Sequence, residues 1–193
     1  MSRRTIDKVV SSAGVIVAIV LLAAGGLLVW GHSFVNSQVH NQLAQQKIFF
    51  PPKGSDAIKG PQFAAMQQYA GQQLVTGPQA STYADHFIAV HLSEVAGGKT
   101  YSEVSTLAMA KPTDTVLQGQ VATLFKGTTL RGLLLNAYAF SKLGQIAGYA
   151  SYVLFGGAAI MLVLSGLGLV HARKVRTGVE VSATAAEAES KAA

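Results

Sequence analysis

The chain has 193 residues, of which 50% are hydrophobic and 12% charged, with a formal net charge of +6 and no cysteine. Because an average soluble domain carries about 25% charged residues, we expect part of this chain to lie in lipid. The lack of cysteine excludes disulfides, Cys-containing zinc sites and thiol catalysis, and the short basic clusters beside apolar runs do not form the continuous patch that nucleic-acid binding requires.

The first apolar run, residues 9–31, contains no charged residue over 23 positions. A helix of this length reaches roughly 35 Å, which is enough to cross a hydrocarbon core of about 30 Å. Basic residues within 1–8 precede the run and Trp30 lies at its far end, which predicts a membrane helix with residues 1–8 in the cytoplasm. A cleaved secretory signal is the alternative, but the run is longer than the roughly 7–15 apolar residues of a signal core.

The central segment, residues 32–145, is predicted to form a helical domain outside the cytoplasm. A stripe of Val35, Val39 and Leu43 has helical spacing and extends the first helix outward as far as a proline break. No alternating apolar run is long enough for a sheet. Gly127 is expected to separate the last two helices of the segment. These helices are predicted over residues 61–74, 79–96, 100–110 and 113–126, and from residue 129 into the second apolar run.

The second apolar run, residues 146–170, is again free of charge over 25 positions. Tyrosines mark its start and a basic cluster follows its end, which predicts a second membrane helix that returns to the cytoplasm. The tail, residues 171–193, is rich in Ala, Glu, Ser and Thr and is expected to be cytoplasmic and disordered. The predicted fold is all-α, with two transmembrane helices extended into a stalk and a small helical extracytoplasmic cap.

Small residues recur in both apolar runs and at their edges. A helix-packing face is predicted for Gly14, Ala18, Gly25, Gly144 and Gly148. Helices in lipid associate through close backbone contact, so small residues indicate a helix–helix interface. Two interpretations are open at this point. The face pairs the chain's own two helices, or it serves self-association or another membrane protein.

One glycine pair resembles the end of a phosphate-binding loop, in the sequence Gly97-Gly98-Lys99-Thr100. The complete loop pattern requires another glycine four positions before the first of these, where this chain has serine, and a preceding strand, where a helix is predicted. The two glycines are better explained as the C-terminal cap of the helix over residues 79–96.

Two histidines, His86 and His91, lie on the predicted helix with Glu94 nearby. Residues five apart point about 140° away from each other around a helix, so this pair does not chelate one metal as an i, i+4 pair would. His91 and Glu94 share a face, but no third ligand is evident. No serine-hydrolase, zinc-protease or dinucleotide-binding motif occurs. We therefore expect no metal, no cofactor and no catalytic site.

Four stretches between the two predicted spans carry a resemblance: IFFPPKGS, GQQLVTGPQA, YADHFIAVHLSEVAGGKTYSEVS and LFKGTTLRGLLLNAYAF. Over residues 1–176 the chain resembles a group of actinobacterial two-span membrane proteins, which implies a location in the bacterial envelope. Members of that group often carry the label "aromatic ring-opening dioxygenase". The label would imply non-haem iron held by two histidines and a carboxylate, and His86, His91 and Glu94 lack the spacing for such a site.

The sequence favours a non-enzymatic function for the cap. The first hypothesis is docking onto another envelope or membrane protein, or self-association. The second is binding of a lipid or quinone-like ligand by aromatic side chains of the cap, although the same rings are explained more simply as its core. A metal-dependent enzyme is the third and least favoured. The aromatic side chains considered for the second hypothesis are Phe49, Phe50, Tyr83, Phe87, Phe125 and Tyr138.

Overall fold

The computed structural model describes the backbone of residues 3–192 and the side chains of residues 5–174. No strand occurs in the described residues, which confirms the predicted all-α class; Phe49 and Gln73 form one isolated antiparallel bridge. Two 3-10 helices and one π-helical turn complete the structure. The elements in chain order are α1 (Arg3–Gln45), the 3-10 helices Asp56–Ile58 and Pro61–Tyr69, α2 (Gly77–Tyr83), the π-helical turn Ala84–Ile88, α3 (Ala89–Val95), α4 (Tyr101–Ala110) and α5 (Thr115–Ala192).

The chain divides into two compact units. Residues 1–31 and 147–193 form the first, which we call the span unit, and His32–Ile146 form the second, which we call the cap. Helices α1 and α5 each pass through both units, with one segment in the span unit and another in the cap. Two helices, Thr5–Gln45 and Thr115–Lys174, contain windows long and apolar enough to cross a membrane.

Small residues form the contact between the two helices of the span unit. Because seven residues correspond to nearly two helical turns, a seven-residue repeat keeps one face of a left-handed helix pair in contact. Small residues on one helix face were predicted from the sequence, but their seven-residue period was not. The buried residues that follow the repeat are Ser11, Ala18 and Gly25 in α1 and Ser151, Ala158, Ser165 and Ala172 in α5.

The predicted packing residues divide between the two units. In the span unit, a Cβ atom at Gly14 would overlap Ser165, and one at Gly25 would lie 2.8 Å from the Phe155 ring. In the cap, a Cβ atom at Gly144 would lie 3.0 Å from Cγ1 of Val35. Glycine at these three positions therefore allows the chain's own helices to pack closely there.

The core of the cap lies between α1, α5 and the chain that connects α1 to α3. Two extended segments run beside each other here, because Phe50 N–H donates to Gln72 O and Leu74 N–H donates to Ile48 O, each at 2.9 Å. They bring apolar side chains from distant positions into one cluster with the helices. The buried members are Val39, Leu43, Phe50, Ile58, Phe63, Met66, Leu74, Ala80, Ala84, Ile88 and Leu134.

The helix predicted over residues 79–96 contains a π-helical turn that the sequence did not reveal. The N–H of Ala89 donates to the carbonyl of Ala84, one residue further back than in an α-helix. Such a turn inserts one residue into the helical repeat. Both Ala84 and Ile88 within the turn are buried in the cap core. Packing against the core, rather than local periodicity, therefore determines this part of the helix.

The predicted break at Gly127 was wrong, because α5 continues through it. A Cβ atom at Gly127 would overlap the side chain of Leu92, so glycine allows α3 to approach α5 closely there. Replacing alanine by glycine makes helix formation less favourable by only about 1 kcal/mol, and tertiary packing offsets this loss. The helix begins two residues later than predicted, after Asp114, whose Oδ1 accepts from the N–H groups of Val116 and Leu117.

The tail also differs from its prediction. Residues 171–193 were expected to be disordered, whereas the backbone of α5 remains helical as far as Ala192. Alanine and glutamate are frequent in this segment, and both have high helix propensity. Composition that is low in complexity therefore does not prevent helix formation here.

Candidate functional site

An apolar groove of about 480 Å³ runs along the cap between α1 and α5. We call it the α1–α5 groove. The stripe of Val35, Val39 and Leu43, predicted from helical spacing, supplies its wall on α1. Its volume falls within the range of about 300–1,000 Å³ that is typical of ligand pockets. The full lining is Phe34, Val35, Gln38, Val39, Gln42, Leu43, Gln46 and Ile48, followed by Leu130, Leu133, Leu134, Asn136, Ala137 and Phe140.

The polar residues of the α1–α5 groove are all amides, and none of its lining residues is charged. Gln38 and Gln42 lie four residues apart on α1, and Gln46 follows directly after the last residue of that helix. All three are exposed, and Gln38 and Gln42 share one face of α1. Gln42 Nε2 lies 3.5 Å from Gln38 Oε1. The groove can therefore accept an apolar group along its length and can offer it only neutral hydrogen-bonding groups.

The aromatic side chains proposed for ligand binding do not line this groove. Phe50, Tyr83 and Phe87 lie in the cap core, where the Phe50 and Tyr83 rings meet edge to face at 5.3 Å and the Tyr83 and Phe87 rings lie 4.8 Å apart. Burial raises the pKa of the Tyr83 phenol above its ordinary value of 10.0. These three rings pack with one another, as the simpler explanation predicted.

The other three aromatic side chains of that hypothesis are scattered over the cap. Phe49 is exposed. Phe125 packs against Tyr101 with ring centroids 5.8 Å apart. Tyr138 lies below the Lys142 ammonium, 5.5 Å from ring centroid to Nζ. The six rings therefore do not converge on one pocket.

The two histidines on the predicted helix do not meet at a metal site. His91 Nδ1 donates to the carbonyl of Phe87 at 2.7 Å, and its ring lies 4.4 Å from the Phe87 ring. His86 and Glu94 are exposed. Within residues 5–174, no three His, Cys, Asp or Glu side chains come close enough to hold a metal ion. His91 thus serves packing and hydrogen bonding beside the π-helical turn.

The glycine pair after α3 forms a helix C-cap, as predicted. Gly97 and Gly98 have φ angles of 58° and 80°, in the left-handed region that favours glycine. The N–H of Gly98 donates to the carbonyl of Ser93 at 2.7 Å, which is the characteristic hydrogen bond of a Schellman motif. Thr100 then caps α4, and its side chain accepts from the N–H of Glu103. The resemblance to a phosphate-binding loop follows from these two caps in succession.

One ion pair and one histidine contact were not found from the sequence, because each joins residues far apart in the chain. Arg131 donates to Asp85 at 2.8 Å, with both side chains about two-fifths exposed. Near the other end of the cap, His32 Nδ1 donates to the carbonyl of Gly144 at 2.7 Å, and Asn36 donates to His32 Nε2 at 3.1 Å. Both contacts join α5 to an earlier helical segment of the cap.

A helical hairpin formed by α4 and the first turns of α5 exposes apolar side chains. Its small core contains Ala96, Val104 and Leu124. No charged residue occurs from Thr115 to Phe125, although most of these residues are exposed. Exposed apolar patches on proteins commonly mark interaction sites. The large apolar side chains that the hairpin exposes are Leu107 (42%), Met109 (72%), Val116 (69%) and Phe125 (57%).

No family model, no curated protein and no solved structure matches the chain. The functional interpretation therefore rests on the groove, the hairpin and the two apolar helices.

Proposed function

We propose that this chain is a two-span integral membrane protein of the bacterial envelope whose cap docks onto another membrane or envelope protein. In this proposal both termini are cytoplasmic, the cap is extracytoplasmic, and the protein is not an enzyme. The observation that carries the docking function is the exposed apolar surface of the hairpin formed by α4 and the start of α5.

The two apolar helices support the membrane location. Only 17% and 11% of their most apolar windows are buried within the protein. The core helix of a soluble protein would bury most of such a window, whereas here the apolar side chains face outward. Hydrocarbon solvates these side chains at no cost, and the helices satisfy their own backbone hydrogen bonds, as a spanning segment must.

The basic residues support the orientation. Arg3, Arg4 and Lys8 lie before the first span, and Arg173 and Lys174 follow the second. Short basic segments next to a span remain in the cytoplasm, so two such clusters place both ends on the same side. The cap between the spans then lies on the opposite face of the membrane.

The composition of the hairpin supports a protein partner. Met109 and Val116 are among its most exposed residues, and both are apolar. Interfaces are enriched in methionine and aromatic residues and depleted of charge at their centre. The hairpin core has few buried residues, so a partner that covers its outer surface would add to its stability.

Site-specific photo-crosslinking in native membranes tests the docking proposal. A photoreactive phenylalanine analogue at Val116 should give one discrete adduct, whereas the same analogue at the exposed Lys53, outside the hairpin, should give none. A Met109→Lys substitution should lower recovery of that adduct partner by about tenfold or more, because it places a charge in an apolar contact.

A different pattern would refute the docking proposal. Equal labelling from both positions, or a discrete adduct that Met109→Lys leaves unchanged, would show that the hairpin is not the contact. An adduct between two copies of this chain would identify self-association as the docking event. Circular dichroism of each variant in detergent provides the control for folding.

A further inference from the structure

We propose that the α1–α5 groove holds one acyl chain of a membrane phospholipid, which enters it from the adjacent leaflet. This inference depends on the proposed membrane location but not on docking by the hairpin. It also differs from ligand binding by the aromatic core, because the groove is lined by other residues.

The walls of the groove suit a saturated hydrocarbon chain. Leu130, Leu133 and Phe140 of α5 expose apolar surface along the groove. The buried Val39 and Leu43 of α1 lie at its floor, and no lining residue carries a charge. A headgroup with a phosphate would find no cation inside the groove, so the lining favours the chain of a lipid over its headgroup. A chain that moves in from the leaflet passes from one hydrocarbon environment to another, so occupancy is favoured by the apolar groove surface that the chain removes from water.

The length of the groove matches one leaflet. Its walls extend from Leu130 to Phe140 on α5, which at 1.5 Å per residue is about 15 Å. In a bilayer, an acyl chain extends over about half of the hydrocarbon core, which is about 30 Å thick. The groove therefore has room for most of one chain.

The position of the groove along the helices gives the chain a route into it. Phe34 lies three residues after Gly31, the last residue of the first segment of the span unit, and Phe140 lies six residues before Ile146, the last residue of the cap. Both phenylalanine side chains are about half exposed. One end of the groove therefore lies within two turns of the predicted hydrocarbon boundary on each helix.

A protein segment fits the groove less well than a lipid chain. A stable protein interface buries about 800 Å² on each partner, and the lining of this groove exposes only a fraction of that area. On the side of α1, its exposed rim includes the amides of Gln38, Gln42 and Gln46, which hydrogen-bond readily to water. A narrow apolar floor with uncharged polar side chains at its edge is the arrangement expected for a single acyl chain that lies along the groove.

Photolabelling with a lipid probe tests this inference. The full-length protein is reconstituted into vesicles of phosphatidylethanolamine and phosphatidylglycerol that contain a phosphatidylcholine with a diazirine at the end of one acyl chain. After illumination, mass spectrometry should find labelled peptides from the far half of the groove, around Leu43 and Leu130. A chain that stays in the bilayer would label the spans alone.

Two matched variants make the assignment specific. Ala137 is half-buried and lines the groove, whereas Ala139, two residues away on α5, is exposed and does not. Ala137→Trp should fill the groove and lower labelling around Leu43 by about tenfold, and Ala139→Trp should leave it unchanged. Leu133→Glu, at an exposed wall position, should also lower labelling, because it places a charge beside the chain.

The outcomes separate this inference from the proposed function. Labelling of the spans but not of the groove, or equal labelling in the Ala137→Trp and Ala139→Trp variants, would overturn the acyl-chain site and leave hairpin docking intact. Loss of labelling from the spans as well would contradict the membrane location itself. Melting curves of the three variants by circular dichroism establish that each one is folded.

Discussion

Glu103 is an exposed carboxylate whose pKa is lowered mainly by one neighbouring residue, Thr100. Its Oε2 accepts from the backbone N–H of Thr100 at 2.7 Å and from the Thr100 hydroxyl at 2.8 Å. These two hydrogen bonds, with a smaller contribution from the Lys99 charge, hold the pKa of Glu103 below its ordinary value of 4.5. Thr100 and Glu103 form a capping box, in which each side chain bonds to the backbone N–H of the other residue.

The lowered pKa of Glu103 predicts a pH dependence. Its contribution to stability is fully present above the pKa in the unfolded chain and is lost as pH falls through the lower pKa of the folded state. Melting curves between neutral pH and pH values below 4.5 should therefore show a loss on acidification that Glu103→Gln reduces, because the amide accepts hydrogen bonds but does not titrate in that range. Parallel loss in both proteins would contradict this assignment.

The helices of this protein could largely be predicted from the sequence, and the exceptions have physical causes. Start and stop signals near Thr100 and Gly97 identified α4 and the end of α3, because capping is local chemistry. The π-helical turn and the passage of α5 through Gly127 depend on contacts with the cap core and with Leu92. The local sequence does not show which distant side chain packs against such a position.

Half of the groove could be predicted in the same way. The stripe of Val35, Val39 and Leu43, four residues apart, was predicted as an apolar helix face, and Leu134 and Ala137, three residues apart, also share a helix face on α5. Periodicity shows that a face is apolar but not whether a neighbouring helix covers it completely. The open space between the two faces therefore could not be predicted from the sequence, and none of the six aromatic side chains considered for ligand binding lines it.

The pairing of α1 with α5 in the span unit can be tested with two adjacent glycines. A Cβ atom at Gly25 would lie 2.8 Å from the Phe155 ring, whereas one at Gly26 has no atom within 4 Å. Gly25→Leu should weaken the pair by about 1–3 kcal/mol through overpacking, and Gly26→Leu should have little effect. A loss of this size lowers the ratio of paired to unpaired helices by about fivefold or more.

Disulfide trapping provides the measurement for this pair. A Cβ atom at Gly168 would lie 3.6 Å from Cβ of Ser11, which is within the range for a disulfide. Since the chain has no cysteine, Ser11→Cys with Gly168→Cys adds the only thiols. Oxidation should link them readily with glycine at position 25 and much less with leucine there. Equal trapping in the Gly25→Leu and Gly26→Leu proteins would show that close packing at Gly25 does not hold the helices together.

For the whole molecule, the proposed orientation predicts which positions an impermeant reagent reaches. Ser55→Cys in the cap should react with a charged maleimide in intact cells, because the cap is proposed to lie outside the cytoplasm. Thr177→Cys in the tail should react only after the membrane is permeabilised. The reverse pattern would invert the proposed topology, and labelling of both positions before permeabilisation would contradict a pair of spans.

The contact between the Phe155 ring and Gly25 affects which alignment the two apolar helices adopt. A repeat made of serine, alanine and glycine looks nearly the same after a shift of one period, so small residues alone would allow several alignments. A seven-residue slip would bring Phe155 against Ala18 in one direction and His32 in the other, and both of these residues carry a side chain where Gly25 has none. The contact between the Phe155 ring and Gly25 therefore favours one alignment of the two helices over the alignments shifted by seven residues.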